Sequence, residues 1–244
     1  MILTASLGLV FAITAQAKGL AMAVNVPADL ERLRVSWFYN WSWCEGIPRC
    51  MSMVYSMQLP PACPDYLIVG NEPNAISPYG SPLTPPEAAR RTIMIERQCP
   101  YTRLIAANVS VDDWRPVGGW GRGDAWLAEF LREYESQTGK PYTQIVGVHC
   151  YTQHRADYCI YSLEWLRELY AGEMWVTEFG VVSGDVYEFE KLLSFISRRF
   201  DRYAVYTNRQ PHTGQGWELG RGVELLNDDN SLTPVGDLYS EWIK

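Results

Sequence analysis

Short apolar runs alternate along this chain with longer stretches in which apolar residues return every three or four positions. The runs are Gly19 to Val24, Arg34 to Phe38, Cys50 to Tyr55, Tyr66 to Gly70, Leu104 to Asn108, Ile145 to His149, Met174 to Thr177 and Tyr203 to Tyr206. Each has the length and the β-branched or aromatic content of a buried strand. Between several of them lie helical patterns. The clearest opens at Thr84-Pro85-Pro86-Glu87, with a capping Thr, Pro in the first turn and Glu three residues on, and runs to about Gln98. Others are predicted near Asp124 to Ser136, Asp157 to Tyr170 and Asp185 to Arg199. Strands alternating with helices build a parallel sheet wrapped by helices, and eight strands predict an α/β fold, a single-domain (β/α)8 TIM barrel. The link between the third and fourth runs is too short for a helix, so that sector should be irregular. The main alternative is an open doubly wound sheet, which needs a reversal of strand order; no Gly-rich nucleotide loop marks one.

Two of the runs end on a glutamate and then break. They are Ile68-Val69-Gly70-Asn71-Glu72-Pro73-Asn74 and Met174-Trp175-Val176-Thr177-Glu178-Phe179-Gly180. A carboxylate at the C-terminal end of a buried strand is poorly placed for packing, and in a barrel that end is the catalytic face. From Glu72 to Glu178 the chain covers three strand–helix units of about 35 residues each, an ordinary size for such a barrel. Two carboxyl groups facing each other across the barrel mouth suit cleavage of a glycosidic bond with retention, with one group protonated and the other ionised, about 5–5.5 Å apart. Either motif alone also reads as a surface glutamate at a strand end. Asn71 supplies an amide able to donate to a sugar hydroxyl.

Composition narrows the picture. The chain has 244 residues, a net charge of −7, 47% apolar and 20% charged residues, the profile of a globular protein with ample core. Its acidity and the lack of a basic stripe with interleaved aromatics argue against a nucleic-acid partner. Ten Trp and 15 Tyr are enough both to fill a core and to offer flat faces to sugars, and the count alone does not separate the two. Residues 1–17 carry no charged side chain, and Ala15-Gln16-Ala17 fits a small-x-small cleavage site, so an export signal is expected there and the catalytic domain at 18–244. The competing reading makes Leu7 to Ala12 a first core strand, but Lys18 to Val24 supplies a first strand without it. No later stretch is long and apolar enough to cross a bilayer as a helix, so no membrane partner is expected. Six cysteines agree with export and allow fifteen pairings. Sequential pairing is expected, because Cys44 with Cys50 and Cys150 with Cys159 would each close a short loop after a strand. A zinc site at His149, Cys150, His154 and Cys159 is the weaker alternative, since no Cys-x-x-Cys pair accompanies them.

The two glutamate motifs resemble the fourth- and seventh-strand motifs of clan A glycoside hydrolases. Ser36-Trp37-Phe38-Tyr39-Asn40-Trp41, Val148-His149-Cys150-Tyr151, Arg202-Tyr203-Ala204 and Ser231-Leu232-Thr233-Pro234-Val235-Gly236-Asp237-Leu238-Tyr239 narrow the resemblance to glycoside hydrolase family 128, the glycosyl hydrolase catalytic core family of secreted β-1,3-glucanases. It runs from about Lys18 to Tyr239. The resemblance implies a (β/α)8 barrel, retaining hydrolysis of β-glucan, no cofactor and no metal. It makes Glu72 the general acid/base, Glu178 the nucleophile and Asn71 the contact to the sugar 2-hydroxyl. His149 and Tyr151 would join the active-site shell, with Tyr151 donating to Glu178, and Trp37 and Trp41 would shape the cleft. Asn108 and Tyr206, at the ends of the fifth and eighth strands, are expected to contact substrate. Two departures stand out: Val205 and Tyr206 where the family commonly has Trp, and Asn74 where it often has Asp.

Plainer roles stay open for several of these residues: His149 and Tyr151 as core packing, Trp37 and Trp41 as core filling. Trp114, Trp120 and Trp217, in Gly- and Pro-rich loops, are further possible sugar contacts. The sequons at Asn40 and Asn108 are expected to be unmodified, because both sit at strand ends facing the cleft. The expectation is a secreted, monomeric endo-β-1,3-glucan hydrolase. Hydrolysis of another β-linked polysaccharide, a binding-only barrel and a likeness of fold alone are the alternatives.

Overall fold

The apolar runs form strands, and the strands pair in parallel in chain order. The computed structural model describes residues 17–76, 80–111, 122–210 and 219–242. The strands are β1 (Lys18–Ala21), β2 (Trp37–Tyr39), β3 (Met53–Val54), β4 (Tyr66–Val69), β5 (Arg103–Ser110), β6 (Ile145–Thr152), β7 (Met174–Val181) and β8 (Arg202–Tyr206). The sheet order is β2-β1-β8-β7-β6-β5-β4-β3, and a parallel bridge from Phe38 to Cys50, just before β3, brings its two edges together. This is the expected (β/α)8 barrel, nearly closed.

Helices α1 (Ala28–Arg32), α2 (Pro85–Gln98), α3 (Gly123–Thr138), α4 (Ala156–Leu169), α5 (Val186–Arg199) and α6 (Pro234–Glu241) pack outside it. Four of them match the predicted helices to within two residues at each end. The short α1 and the C-terminal α6 were not anticipated. The signal for α6 was present: the Thr233 hydroxyl accepts from Gly236 N–H and Pro234 occupies the first turn. Thr84 begins α2 as expected, but its hydroxyl makes no capping bond, and only its carbonyl accepts, from Ala88 N–H.

Two apolar layers follow from strand alternation. Val69, Val148, Val176, Phe179 and Val205 face outward and pack with Phe130, Leu163, Phe189 and Leu192 from the helices. Trp37, Tyr39, Met53, Ile68, Ile105, Ile145, Trp175 and Ala204 fill the barrel interior. Trp37 lies directly on β1, where a Cβ at Gly19 would come within 2.2 Å of its ring, so only glycine fits there. Its indole N–H donates to the Ala17 carbonyl at 3.3 Å, and it packs on Trp175 at 5.8 Å. Trp37 is therefore an inner-core residue at the closed end of the barrel, and the expected cleft role is corrected: it begins its strand, where inward side chains are covered.

Among the described residues no helix follows β2 or β3. The β2–β3 loop is instead crosslinked by Cys44–Cys50, and the β3–β4 loop is tied by Cys63–Cys99 to the end of α2. Cys150–Cys159 joins β6 to α4. The pairing is sequential, as expected, and it consumes both sulfurs that the zinc reading needed. No helix of the described residues is long and apolar enough to cross a membrane. The proposed export signal lies, apart from Ala17, outside the described residues.

Candidate active site

The catalytic-face ends of β4, β6 and β7 bring three ionisable side chains together. His149 Nδ1 lies 3.0 Å from Glu72 Oε1 and 3.6 Å from Glu178 Oε2. One ligand atom from each of the three falls within 4.8 Å of the others, and all three side chains are buried. Glu72 sits at φ +41°, a left-handed conformation that a non-glycine residue adopts only under constraint. Its N–H donates to the Asn108 carbonyl at 3.0 Å. The loop beyond it is clamped by Asn74, whose amide donates to the Ser110 carbonyl and accepts from the Ser110 N–H. An Asp at position 74 could accept but not donate, which accounts for what the departure from the family pattern achieves in this chain.

Two bulges aim β7. Ala107 pairs with Gly147 and Val109 with Val148, leaving Asn108 as an extra residue of β5; Val148 pairs with Val176 and His149 with Glu178, leaving Thr177 as an extra residue of β7. Each insertion changes the phase of its strand. After Trp175 faces inward and Val176 outward, the extra Thr177 lets Glu178 turn inward and Phe179 join the outer core. The Thr177 hydroxyl donates to Asn108 Oδ1 at 2.9 Å, across β6. The crossing point is Gly147, where a Cβ would sit 1.9 Å from Asn108 Oδ1.

Asn108 is thus wholly buried, with its amide donating to the carbonyls of Val69 and Ile105. Its polar groups are spent inside the barrel wall. The expectation that it contacts substrate is corrected.

Glu178 is surrounded by donors. The Tyr39 hydroxyl donates to Oε1 at 2.6 Å, the Trp41 indole N–H donates to the same oxygen at 2.9 Å, and the Tyr151 hydroxyl donates to Oε2 at 2.5 Å. Burial, followed by the Glu178 charge, pushes both phenols well above the ordinary tyrosine value, so they stay protonated. An indole N–H can only donate. Burial alone would lower the pKa of His149, but the Glu178 and Glu72 carboxylates offset it and hold the ring above the ordinary histidine range. Its Nε2 is buried and has no hydrogen-bond partner among the described residues.

The remaining expectations divide. Tyr151 donates to Glu178 as anticipated, and Trp41 does so as well. Tyr206 stands edge-on to Trp41 at 5.8 Å and to Tyr151 at 5.7 Å, so it walls the same mouth. Asn71 is buried beside Glu72 and hydrogen-bonds to Tyr55. Burial and the two glutamate charges raise the Tyr55 phenol above its usual range, the Asn71 bond acting against them.

Tyr39 and Tyr55 were missed. Alternation along β2 carried the signal for Tyr39, since residues 37, 39 and 41 share one face and the later ones lie nearer the mouth. Trp114, Trp120 and Trp217 lie outside the described residues. The Glu72, His149 and Glu178 spacing would accept a divalent cation, but a cation on Glu178 would have to displace phenol and indole donors already seated on both oxygens.

A model of the glycosyl hydrolase catalytic core matches residues 19–239. Among solved structures, the chain is similar to a GH128 subgroup II endo-β-1,3-glucanase from Pseudomonas viridiflava, with 24% identity, 93% of this chain and 98% of that one covered, and a TM-score of 0.69. A subgroup IV endo-β-1,3-glucanase from Lentinula edodes gives 18% identity, coverage of 92% and 99%, and a TM-score of 0.72. A subgroup I endo-β-1,3-glucanase from Amycolatopsis mediterranei, in complex with laminaritriose, gives 18%, 92% and 98%, and 0.68. At these identities the likeness establishes the fold. No curated protein sequence matches the chain.

Proposed function

With a match over residues 19–239, the chain belongs to the glycosyl hydrolase catalytic core family, and we propose that it is an exported endo-β-1,3-glucan hydrolase acting with retention. The observation that carries this reading is the asymmetry of the two carboxylates. Glu178 accepts three hydrogen bonds from groups that stay protonated, whereas Glu72 faces His149. The first environment suits a nucleophile and the second a group that gains and loses a proton. Ligand atoms of the two glutamates lie within 4.8 Å of each other, which supports the close carboxylate pairing of about 5–5.5 Å used in retention over the wider separation of about 6.5–9.5 Å used in inversion.

In the first step Glu72 gives its proton to the glycosidic oxygen as the bond to the anomeric carbon breaks, and Glu178 attacks that carbon from the opposite face. A glycosyl ester forms on Glu178 and the leaving sugar departs with its new hydroxyl. Glu72, now ionised, takes a proton from water, the water oxygen attacks the anomeric carbon, and Glu178 leaves as a carboxylate. Asn71 is assigned to the 2-hydroxyl, and Trp41, Tyr151 and Tyr206 form the wall against which the sugar ring lies.

The substrate class rests on the family and on the glucanases to which the fold is similar. Export rests on the three disulfides and the uncharged first 17 residues. A cut behind Ala17 would remove a carbonyl that accepts from Tyr203 N–H and from the Trp37 indole, leaving both donors to water at the closed end of the barrel. The protein is expected to work as a monomer.

The test is reducing-sugar release by the purified protein on β-1,3-glucan, cellulose, mannan and xylan, with Glu178→Gln as control. Release from β-1,3-glucan, lost in the variant, supports the reading. Release from another polysaccharide keeps the two glutamates and replaces the substrate. Binding of glucan without release makes the protein a binding barrel.

A further inference from the structure

Helix α4 turns three aromatic side chains to solvent. Tyr158, Tyr161 and Trp165 are 45%, 71% and 54% exposed, and their spacing puts them on one face of the helix. A rise of 1.5 Å per residue separates the first and last Cα by about 10 Å along the axis, the scale of two pyranose rings. The rest of the outward surface of α4 is ordinary, with Glu164 and Glu168 exposed. Together with Val111, Arg122, Asp124, Ser162 and Leu166 the aromatics line an open groove of about 530 Å³ between the start of α3 and α4.

Trp165 is exposed and yet held. Its indole N–H is directed at Asp124, whose two oxygens accept from the Arg122 guanidinium at 3.0 and 2.6 Å. Burial opposes the Asp124 charge, but the Arg122, Ala125 and Trp165 hydrogen bonds outweigh it and hold its carboxyl below the usual aspartate range. The contact favours one orientation of the indole face before any ligand arrives, which lowers the entropy lost on binding. The charges in the groove are paired with each other, so it offers aromatic faces and hydroxyls without a net field for an ionic partner. That is the complement of an uncharged polyol with apolar ring faces.

The groove also adjoins the candidate active site. Val111 follows directly on β5, and its N–H donates to the His149 carbonyl at 3.0 Å. The starts of α3 and α4 lie on the same rim of the barrel as Glu72 and Glu178.

We propose that the α4 aromatic groove is a second binding site for the polysaccharide, an outlying platform that holds a strand of β-glucan beside the catalytic mouth. The inference rests on the reading of this chain as a glucan hydrolase. Its test has two parts. In a Glu178→Gln background, migration through gels containing soluble β-1,3-glucan is compared with and without Tyr161→Ala and Trp165→Ala. In otherwise unaltered protein, the same two changes are scored by the ratio of turnover on the polymer to turnover on laminaritriose.

The platform predicts weaker retardation, with the apparent dissociation constant raised about fivefold to tenfold for two lost stacking faces, and a fall of similar size in the polymer-to-trisaccharide ratio. Tyr161→Ala alone, at a highly exposed position, gives part of the effect and guards against a folding defect from Trp165→Ala, with the melting temperature as control. Turnover of glucan with retardation and ratio both unchanged by the variants overturns the platform and leaves the catalytic reading standing. A change of oligomeric state in the variants instead assigns the groove to a second copy of the chain and also overturns it. No retardation and no turnover by any form removes the catalytic reading, and the platform with it.

Discussion

From β4 to β8 every strand is followed in chain order by a helix of the outer layer, whereas β2 and β3 lead into loops stapled by Cys44–Cys50 and Cys63–Cys99. The two sectors contribute different things to the site. The helix-backed arc supplies Glu72, His149, Tyr151 and Glu178, whose polar atoms meet at the mouth in fixed geometry. The stapled arc supplies Tyr39, Trp41 and Tyr55, which hydrogen-bond to Glu178 and Asn71. A regular strand–helix unit fixes a side chain through two packed layers. The loop sector lacks such a helix of its own, and in this molecule covalent crosslinks take its place. The difference suggests that the two glutamates with the Tyr151 donor, and the Tyr39 and Trp41 donors, are stabilised by separable means.

The comparison can be broken at several points. Loss of the Cys63–Cys99 crosslink by paired Ser substitution should have the largest effect on stability. Its loop of 36 residues corresponds to about 4 kcal/mol of lost loop-closure entropy in the unfolded chain, against about 2 kcal/mol for the shorter Cys44–Cys50 loop. In a chain of this size that is a fall in melting temperature of about 8–16 °C by calorimetry. Equal losses for the two crosslinks would mean that the stapled arc gains more than loop closure from them.

Tyr39→Phe deletes one hydrogen bond to the Glu178 carboxylate and keeps the ring. A bond to a charged group contributes about 1.5–3 kcal/mol, so kcat should fall about 10- to 100-fold with the melting temperature nearly unchanged. Steady-state kinetics with a thermal melt separates this from a packing defect. A drop in stability with kcat intact would move Tyr39 from tuning to scaffolding.

Gly147→Ala attacks the helix-backed arc at the crossing between its bulges. The added methyl meets Asn108 Oδ1, and the overpacking should cost about 1–3 kcal/mol. Because the bridge from Asn108 to Thr177 directs Glu178, kcat should fall as well. A variant that melts lower but keeps its turnover would show that the bulges hold shape without aiming Glu178.

The smallest effect concerns pH. His149 is raised above its ordinary value by the two carboxylates, so its protonation stabilises the folded state fully at pH below the ordinary histidine value. That contribution is lost as pH rises through the raised value. His149→Gln should therefore flatten the decline in melting temperature from mildly acidic to alkaline pH. An unchanged slope would remove the histidine from the charge balance of the site.

Much of this was legible in the amino-acid order, and the reasons are physical. Strands buried on both faces must be apolar throughout, so all eight were visible, and Glu72 and Glu178 stood out as carboxylates closing such runs. Helices with amphipathic repeats were equally plain, while α1, with one turn and a half, has no room for a repeat. The bulges at Asn108 and Thr177 leave no mark in local composition, because an inserted residue in a bulge looks like any other strand residue. For that reason Asn108 was given to the substrate when it belongs to the wall. Trp37 was misplaced for a different reason: alternation tells which face a residue takes, but not how deep it lies along the barrel axis. The same depth argument, applied to Tyr39, would have found the donor that was overlooked.

The central claim is the division of labour between Glu178 and Glu72, and azide rescue tests it most directly. Glu178→Ala and Glu72→Ala would each be given an aryl β-glycoside of a laminari-oligosaccharide with and without azide, and the anomeric configuration of the glycosyl azide read by NMR. The account predicts an α-glycosyl azide from Glu178→Ala, where the anion takes the nucleophile's place, and a β-glycosyl azide from Glu72→Ala, where it attacks the ester on Glu178. The reverse assignment, or an α-azide from the Glu72 variant, would contradict it.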